Sequence, residues 1–299
     1  MKRLLKETWP FHLMLLPAVV LAFLFNYLPM FGVVMAFQDF KPWTGFLNSR
    51  WVGLEHFEAI FDRKDTVQVV WNTLIIASLK IFFIIVVPVV FALLLNEIRN
   101  MIFKRTVQTL VYLPHFLSWV ILGGILVDLL SPQDGLVNQI LRTGFGVPPI
   151  FFLGDGNWFR FTVVVSHIWK EFGFGAIVYL AALAGINPHL YEAAEVDGAS
   201  RWQQTIYITL PALVPIILVC TTLELNNILS AGFDQIFNLY NPLVYDKGDI
   251  IDTFVYRVGL LGQQFGFSAA IGLFKSVVSL ILVVVVYRIA YKIADYRIF

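Results

Sequence analysis

The sequence predicts an all-α membrane protein with six transmembrane helices, and three observations carry that prediction. The 299 residues are 59% hydrophobic and 14% charged, with a mean hydropathy of +0.77, far from the values of a water-soluble domain. Six segments, approximately 13–37, 69–95, 107–130, 161–184, 212–231 and 267–290, each supply the roughly 20 apolar residues that cross a hydrocarbon core of about 30 Å. A polar, charged stretch, Tyr191 to Pro211 (YEAAEVDGASRWQQTIYITLP), lies between two of these runs and reads as a segment standing off the membrane.

The first apolar run follows Lys2, Arg3 and Lys6, but it is too long for a secretory signal and lacks a small-residue cleavage site, so it reads as a retained helix. Pro17, Pro88, Pro114 and Pro215 lie in or near apolar runs, where they mark either kinks or packing irregularities that neighbouring helices satisfy. With the N-terminus inside, Lys2, Arg3, Lys6, Arg99, Lys104, Arg105, Arg201, Arg288, Lys292 and Arg297 fall on the cytoplasmic side. Lys and Arg are about twice as dense there as on the other side, which puts both termini and the 191–211 segment in the cytoplasm. Three longer external stretches are expected near 38–68, 131–160 and 232–266, with Trp51, Trp71, Trp158 and Tyr256 in an outer aromatic belt and Trp9 and Trp202 in an inner one. Residues 1–299 show no internal repeat, low-complexity linker or heptad run and read as a single transmembrane domain of a multi-pass plasma-membrane protein.

Composition also excludes. A net charge of +1 argues against nucleic acid, and Cys220, alone in an apolar run, permits neither an intrachain disulfide nor a multi-cysteine metal site, so no metal ligands are assigned. No GxxxxGK[ST] loop occurs, so the chain is not expected to bind ATP by that route or to hold a cofactor of its own.

The 191–211 segment has a physical logic of its own. Ala193, Ala194 and Val196 favour a helix with apolar contact, while Glu192, Glu195 and Asp197 load charge onto it. Gly198 allows a positive backbone angle and a sharp turn into a second helix that Ser200 caps. Two short helices at an angle result, and such a rigid element can enter a cleft on a partner and transmit a push. Glu192, Ala193 and Ala194, then Gly198, then after nine residues Ile208, Leu210 and Pro211, match the EAA pattern of ABC-importer membrane subunits. The resemblance implies that Glu192 and Ala193, with Ala194 and Asp197 on the same helix, sit in the groove of a cytoplasmic ATPase. It further implies that Gly198 makes the turn and that Pro211 opens the next membrane helix.

Polar side chains at membrane depth are costly unless paired or hydrated. Lys80, His115, Lys170, Glu171, Glu224, Asn226, Asn227 and Lys275 lie away from the expected interfaces on five different segments. They fit a shared, water-filled cavity in which Lys170 or Lys275 pairs with Glu224; they also fit interhelical pairs that hold no ligand. Trp169, with Tyr112 and Trp119, adds flat aromatic surface of the kind that sugar rings stack on, in a chain where aromatics are common everywhere.

Over nearly the whole chain, WNTLIIA at 71–77, LPHFLSWVILGGIL at 113–126 and DGLVNQILRTG at 134–144 are similar to the carbohydrate-uptake branch of ABC permeases, particularly those handling oligosaccharides and polysaccharide fragments. The resemblance implies a maltose-type (type I) permease fold of six helices. It implies as partners a second, homologous permease, two ATPase subunits that bind ATP and Mg, an extracellular solute-binding protein, the lipid bilayer and a saccharide moved by alternating access. The extra helices and large external domain of the maltose system's bigger permease are absent. Lys80, Lys170, Lys275 and His115 outnumber Glu171 and Glu224, which favours an anionic saccharide such as a uronate oligomer, with a neutral one still open. A membrane-embedded glycosyltransferase needs an acidic cluster, but Asp128, Asp134 and Asp155 are scattered with no DxD pair. An ion-coupled secondary transporter, with Glu224 and Lys275 as relays, usually shows two similar halves, and none are evident here. Neither alternative explains the EAA spacing, so the chain reads as a transport subunit and not an enzyme.

Overall fold

The computed structural model describes residues 2–225 and 229–294, and they fall into two compact units. One holds the chain up to Arg63 together with Val255–Phe274, and the other holds Lys64–Phe254 together with the chain from Lys275 onward.

In the first unit, helix α1 (Lys2–Ala22) continues through a π turn, Phe23–Tyr27, and a 3-10 stretch, Leu28–Phe37. Residues 8–37 are long and apolar enough to cross a membrane, and most of their large side chains are exposed, as lipid-facing groups would be. Strands β1 (Gln38–Asp39) and β2 (Arg50–Trp51) then pair antiparallel, with Gln38 opposite Trp51, and are the only strands among the described residues of this otherwise helical chain. Buried Gln38 donates to the Phe46 carbonyl (3.0 Å), while its own carbonyl lies 3.1 Å from His56 Nε2 on α2 (Glu55–Asp62). Edge-to-face pairs of Phe40 with Phe265 and Phe61 with Phe274 complete this packing.

The second unit is organised by one helix. Its members are α3 (Lys64–Asn96), α4 (Met101–Tyr112), α5 (Trp119–Leu129), α6 (Gly156–Ala184), α7 (Pro188–Val196), α8 (Arg201–Gln204), α9 (Leu210–Leu225) and α10 (Phe233–Leu239). Helix α11 (Phe265–Ala294) begins in the first unit and ends in this one. Asp155 caps α6 by accepting from the amides of Asn157 and Trp158 (3.0 Å each), and α6 then packs on α3, α4 and α9. Helices α3 and α6 run parallel. Asn72 meets Arg160 near their starts (2.5 Å), and Phe91 stands edge-on to Phe172 near their ends. Between these contacts lie the fully buried Ile76, Phe159 and Val163, joined by Ile236, Val244 and Ile250 from the chain beyond residue 231. A second cluster joins Val89, Ala92, Ala176 and Tyr179 to Leu213 of α9.

Two expected spans come out differently. The run read as one helix over 107–130 is broken between α4 and α5 by a 103° bend. Pro114 sits in a 3-10 turn, Leu113–Phe116, Leu117 is extended, and Ser118 restarts the chain as the N-cap of α5 by accepting from the Ile121 amide (3.3 Å). Five helices are thus long and apolar enough to cross a membrane, or six when this bent pair counts as one span. The fifth span is helical from Arg201 to Leu225, passing through a π turn at Thr205–Thr209, rather than over 212–231. Part of the stretch expected outside, 232–266, folds back into the core, where Gln235, Ile236, Leu239 and Val244 are buried.

Gly173 lets α6 lie close against α4, since a Cβ there would stand 2.5 Å from the Val111 carbonyl oxygen. Gly173→Ala is therefore expected to cost about 1–3 kcal/mol through overpacking, while Gly124→Ala, which meets no atom within 4 Å, is neutral or stabilising. Thermal unfolding of the two purified variants checks this contrast.

Candidate functional site

The 187–211 region is built by local capping. Asn187 accepts from the His189 amide (3.1 Å), Pro188 takes the first position of α7, and the helix ends with Asp197 N–H donating to Ala193 O (3.0 Å). Gly198 then adopts φ +79°, and the Ala199 amide closes the turn on Ala194 O (2.9 Å). Ser200 and Gln203 form a reciprocal capping box that starts α8. From Arg201 the helix runs unbroken into the membrane span, so the second element is the span itself and not a separate short helix. Pro211 is the second residue of α9 within that run and does not open it, since the helix is already continuous from Arg201 through the π turn before it.

Two contacts tie this region to its surroundings. Tyr191 Oη pairs with Thr209 Oγ1 across the turn (2.9 Å), and Arg201 Nη1 meets Glu97 Oε2 just past the end of α3 (3.1 Å). Glu192, Ala193 and Asp197 are exposed, Ala194 is half-buried, and Leu190 and Val196 are 51% and 88% exposed. A short polar helix that displays apolar side chains in this way has a face suited to a partner.

The polar residues at depth form two neighbouring clusters and one remote pair. In the first cluster, Lys80 is 4% exposed and donates to Ala231 O and Gln235 Oε1, both at 2.5 Å. Gln235 passes its own donors to Val163 O and Ser166 Oγ (2.8 Å each). Beside them, Lys80, His167, Glu224 and Ser230 line a cavity of about 170 Å³. The second cluster starts one turn along α6. Lys170 Nζ donates to His115 O (2.6 Å) and pairs with Glu171 Oε1 (3.2 Å), whose other oxygen lies 2.7 Å from His115 Nδ1. Trp119 bridges the clusters, stacked parallel to His167 on one side with the Lys170 ammonium 5.8 Å from its ring centre.

The remaining expectations fall elsewhere. Neither Lys170 nor Lys275 pairs with Glu224; Lys170 takes the adjacent Glu171, and Lys275 pairs with Asp252 at 2.5 Å. Trp169 points away from both clusters into an apolar pocket with Leu126, Phe152 and Val165, because one step along a helix turns a side chain by about 100° from its neighbour Lys170. Asn226 and Asn227 lie outside the described residues. The sequence pattern alone does not single out His167, Ser166 or Gln235. The signal for His167 is its place three and four residues before Lys170 and Glu171 on one face of a helix; Gln235 carries none, because it lies in a stretch that reads as an external loop.

Known proteins resemble this chain in sequence and fold. The family model described as the binding-protein-dependent transport system inner membrane component matches residues 84–298. A polygalacturonan/rhamnogalacturonan transport system permease protein, YteP, of Bacillus subtilis (strain 168) is 43% identical over 284 residues, which are 95% of this chain and 88% of that protein. Protein LplB of the same organism is 41% identical over 283 residues, with the same coverage of 95% and 88%. The crystal structure of a bacterial ABC transporter involved in the import of the acidic polysaccharide alginate contains a chain that superposes with a TM-score of 0.90 at 40% identity, covering 98% of each. A second structure, of a bacterial alginate ABC transporter in complex with an alginate pentasaccharide-bound periplasmic protein, gives 0.90 at 39% identity, covering 100% and 99%.

The network around Lys80 makes a distinctive stability prediction. Gln235→Leu leaves the buried Lys80 nitrogen short of a partner and is expected to cost about 1–3 kcal/mol, whereas Lys80→Met with Gln235→Leu removes both polar groups and recovers part of the loss. A double-mutant cycle of thermal unfolding reads the non-additivity directly.

Proposed function

We propose, from the premise that this chain belongs to the binding-protein-dependent transport system inner membrane component family, that it carries acidic oligosaccharides across the membrane. It is an ABC-importer permease of the carbohydrate-uptake type, a multi-pass inner-membrane transport subunit without catalytic activity of its own, whose ATPase is a separate subunit.

In this reading residues 1–299 work as one permease domain with both termini in the cytoplasm. It pairs with a second, homologous permease, two ATPase subunits holding ATP and Mg, and an extracellular solute-binding protein. The observation that carries the coupling role is α7: a capped helix carrying exposed Leu190 and Val196, linked by the tight turn at Gly198 (φ +79°) to a helix that runs from Arg201 unbroken through a membrane span. Closure of the ATPase pair would draw α7 with it, and the rigid run from Arg201 to Leu225 would pass that motion into the bilayer. Glu192, Ala193, Ala194, Asp197 and Gly198 are the coupling residues; Pro211 lies on the span that receives the motion. Lys80, His115, Lys170, Glu171 and Glu224 are the substrate-cavity residues, with His167 and Trp119 between them.

Support for an acidic saccharide comes chiefly from the relatives, two of which are described with polygalacturonan/rhamnogalacturonan and alginate. The charge excess counted along the chain gives less support, since Lys170 and Lys275 are each neutralised by a carboxylate. Lys80 is held by neutral oxygens, with no carboxylate on it, at the edge of the cavity.

Two outcomes are expected of the assembled transporter. ATP hydrolysis should rise with binding protein loaded with uronate oligomers and not with neutral ones; stimulation by neutral sugars alone would remove the acidic assignment. Gly198→Val, which forces a β-branched residue to a positive φ at about 1–2 kcal/mol, should cut that stimulation about tenfold or more, while Gly198→Asn, tolerant of this conformation, retains more of it.

A further inference from the structure

On the seam between α3 and α6, away from the Lys80 cluster, the helices leave an open groove of about 540 Å³. Leu79 and Phe83 form one wall and Val165 and Ile168 the other, while Asn157 and Arg160 stand at one end. The ends are set by helix geometry. Arg160 and Ile168 are eight residues apart on α6, so the apolar part extends about 12 Å down the helix from the guanidinium. The parallel course of α3, fixed by Asn72 at the level of Arg160, carries Phe83 about 16 Å down from the same level.

The mouth of the groove is cationic. Arg160 uses Nε on Lys247 O (2.8 Å) and Nη2 on Asn72 Oδ1 (2.5 Å), so both of these contacts are to neutral oxygens and three of its five donors are not used in them. Lys247 holds its ammonium 2.8 Å from Asn157 Oδ1. Asp246 brings one carboxylate to the same turn, near Gly156, so two cations face a single acid. A narrow apolar channel along two membrane helices, closed at its water end by two basic side chains, has the complementarity of an acyl chain below a phosphate.

We infer that this groove binds one acyl chain of an anionic phospholipid, with its phosphate on Arg160 and Lys247. The site rests only on the chain crossing a membrane, so it stands or falls independently of the saccharide and of coupling to an ATPase. Its polar end shares the Asn72–Arg160 contact that sets the level of α3 against α6, so a bound lipid would brace that contact from outside.

Native mass spectrometry of the assembled transporter, delipidated and then supplied with dioleoyl phosphatidylglycerol or the phosphatidylcholine of the same chains, tests the proposal. Retention of one phosphatidylglycerol per chain, with at least about a fivefold preference over phosphatidylcholine, is expected. Ile168→Trp should fill the groove and abolish retention, and Lys247→Gln should erase the preference for the anionic lipid. Because Arg160→Gln also removes bonds to Asn72 and Lys247, the two other variants keep the test decisive should that one fail to fold. Equal retention of both lipids, retention unaffected by Ile168→Trp, or capture of a second permease chain instead of lipid by a photocrosslinker at Val165 would each overturn the site.

Discussion

The bond from Lys80 to Gln235 and Ala231 is the constraint on which the second unit depends. A lysine nitrogen on a membrane helix is expensive to bury unless its donors are used, and here α3 buries one where the chain beyond α9 returns to supply two oxygens at 2.5 Å. Gln235 is itself satisfied by Val163 O and Ser166 Oγ on α6, so one polar chain joins α3, α10 and α6. Around it pack Ile76, Phe159, Val163 and Ile236, all fully buried. In hydrocarbon, apolar contact alone gives little preference for one helix neighbour over another, so a satisfied polar network of this kind decides which segments adjoin.

The same helix that completes the network also leads into the coupling region. Helix α6 ends at Ala184, and only three residues separate it from α7. After the Gly198 turn the chain returns as the span that packs on α6 through Leu213, Ala176 and Tyr179. In the proposed coupling, motion imposed on α7 would reach two packed membrane helices at once, since Tyr191–Thr209 spans the turn and Arg201–Glu97 extends the contact to the end of α3. His167, Lys170 and Glu171 lie on the face of α6 toward the polar clusters, so the proposed ligand groups and the proposed path of motion share one helix.

How much of this is legible in the sequence depends on the range of the interaction concerned. The membrane class and the helical content follow from composition, and the helix starts and turn within 187–211 follow from local chemistry: Ser200 with Gln203 and Asn187 before Pro188 are capping signals within four residues of their targets. The break in the 107–130 run is also local, carried by Pro114 and Ser118, but hydropathy averaged over a span passes across it. Ion-pair partners are a different matter. Lys275 chooses Asp252, twenty-three residues away in a stretch that reads as external, and Lys80 chooses neutral oxygens rather than any of the carboxylates at depth. Such choices are settled by tertiary packing, and counting charges along the chain overstates how positive one cavity becomes. Trp169 illustrates the same limit on a smaller scale, since adjacency to Lys170 in sequence places it on a different face.

The most direct measurement of the central claim is uptake of a labelled uronate oligosaccharide into proteoliposomes containing this chain, its sister permease and the ATPase subunits, with binding protein added outside. The account predicts accumulation that requires both ATP within the vesicles and the binding protein, and that survives collapse of ion gradients. Uptake that runs on an ion gradient without ATP would contradict it and would make this chain a secondary transporter.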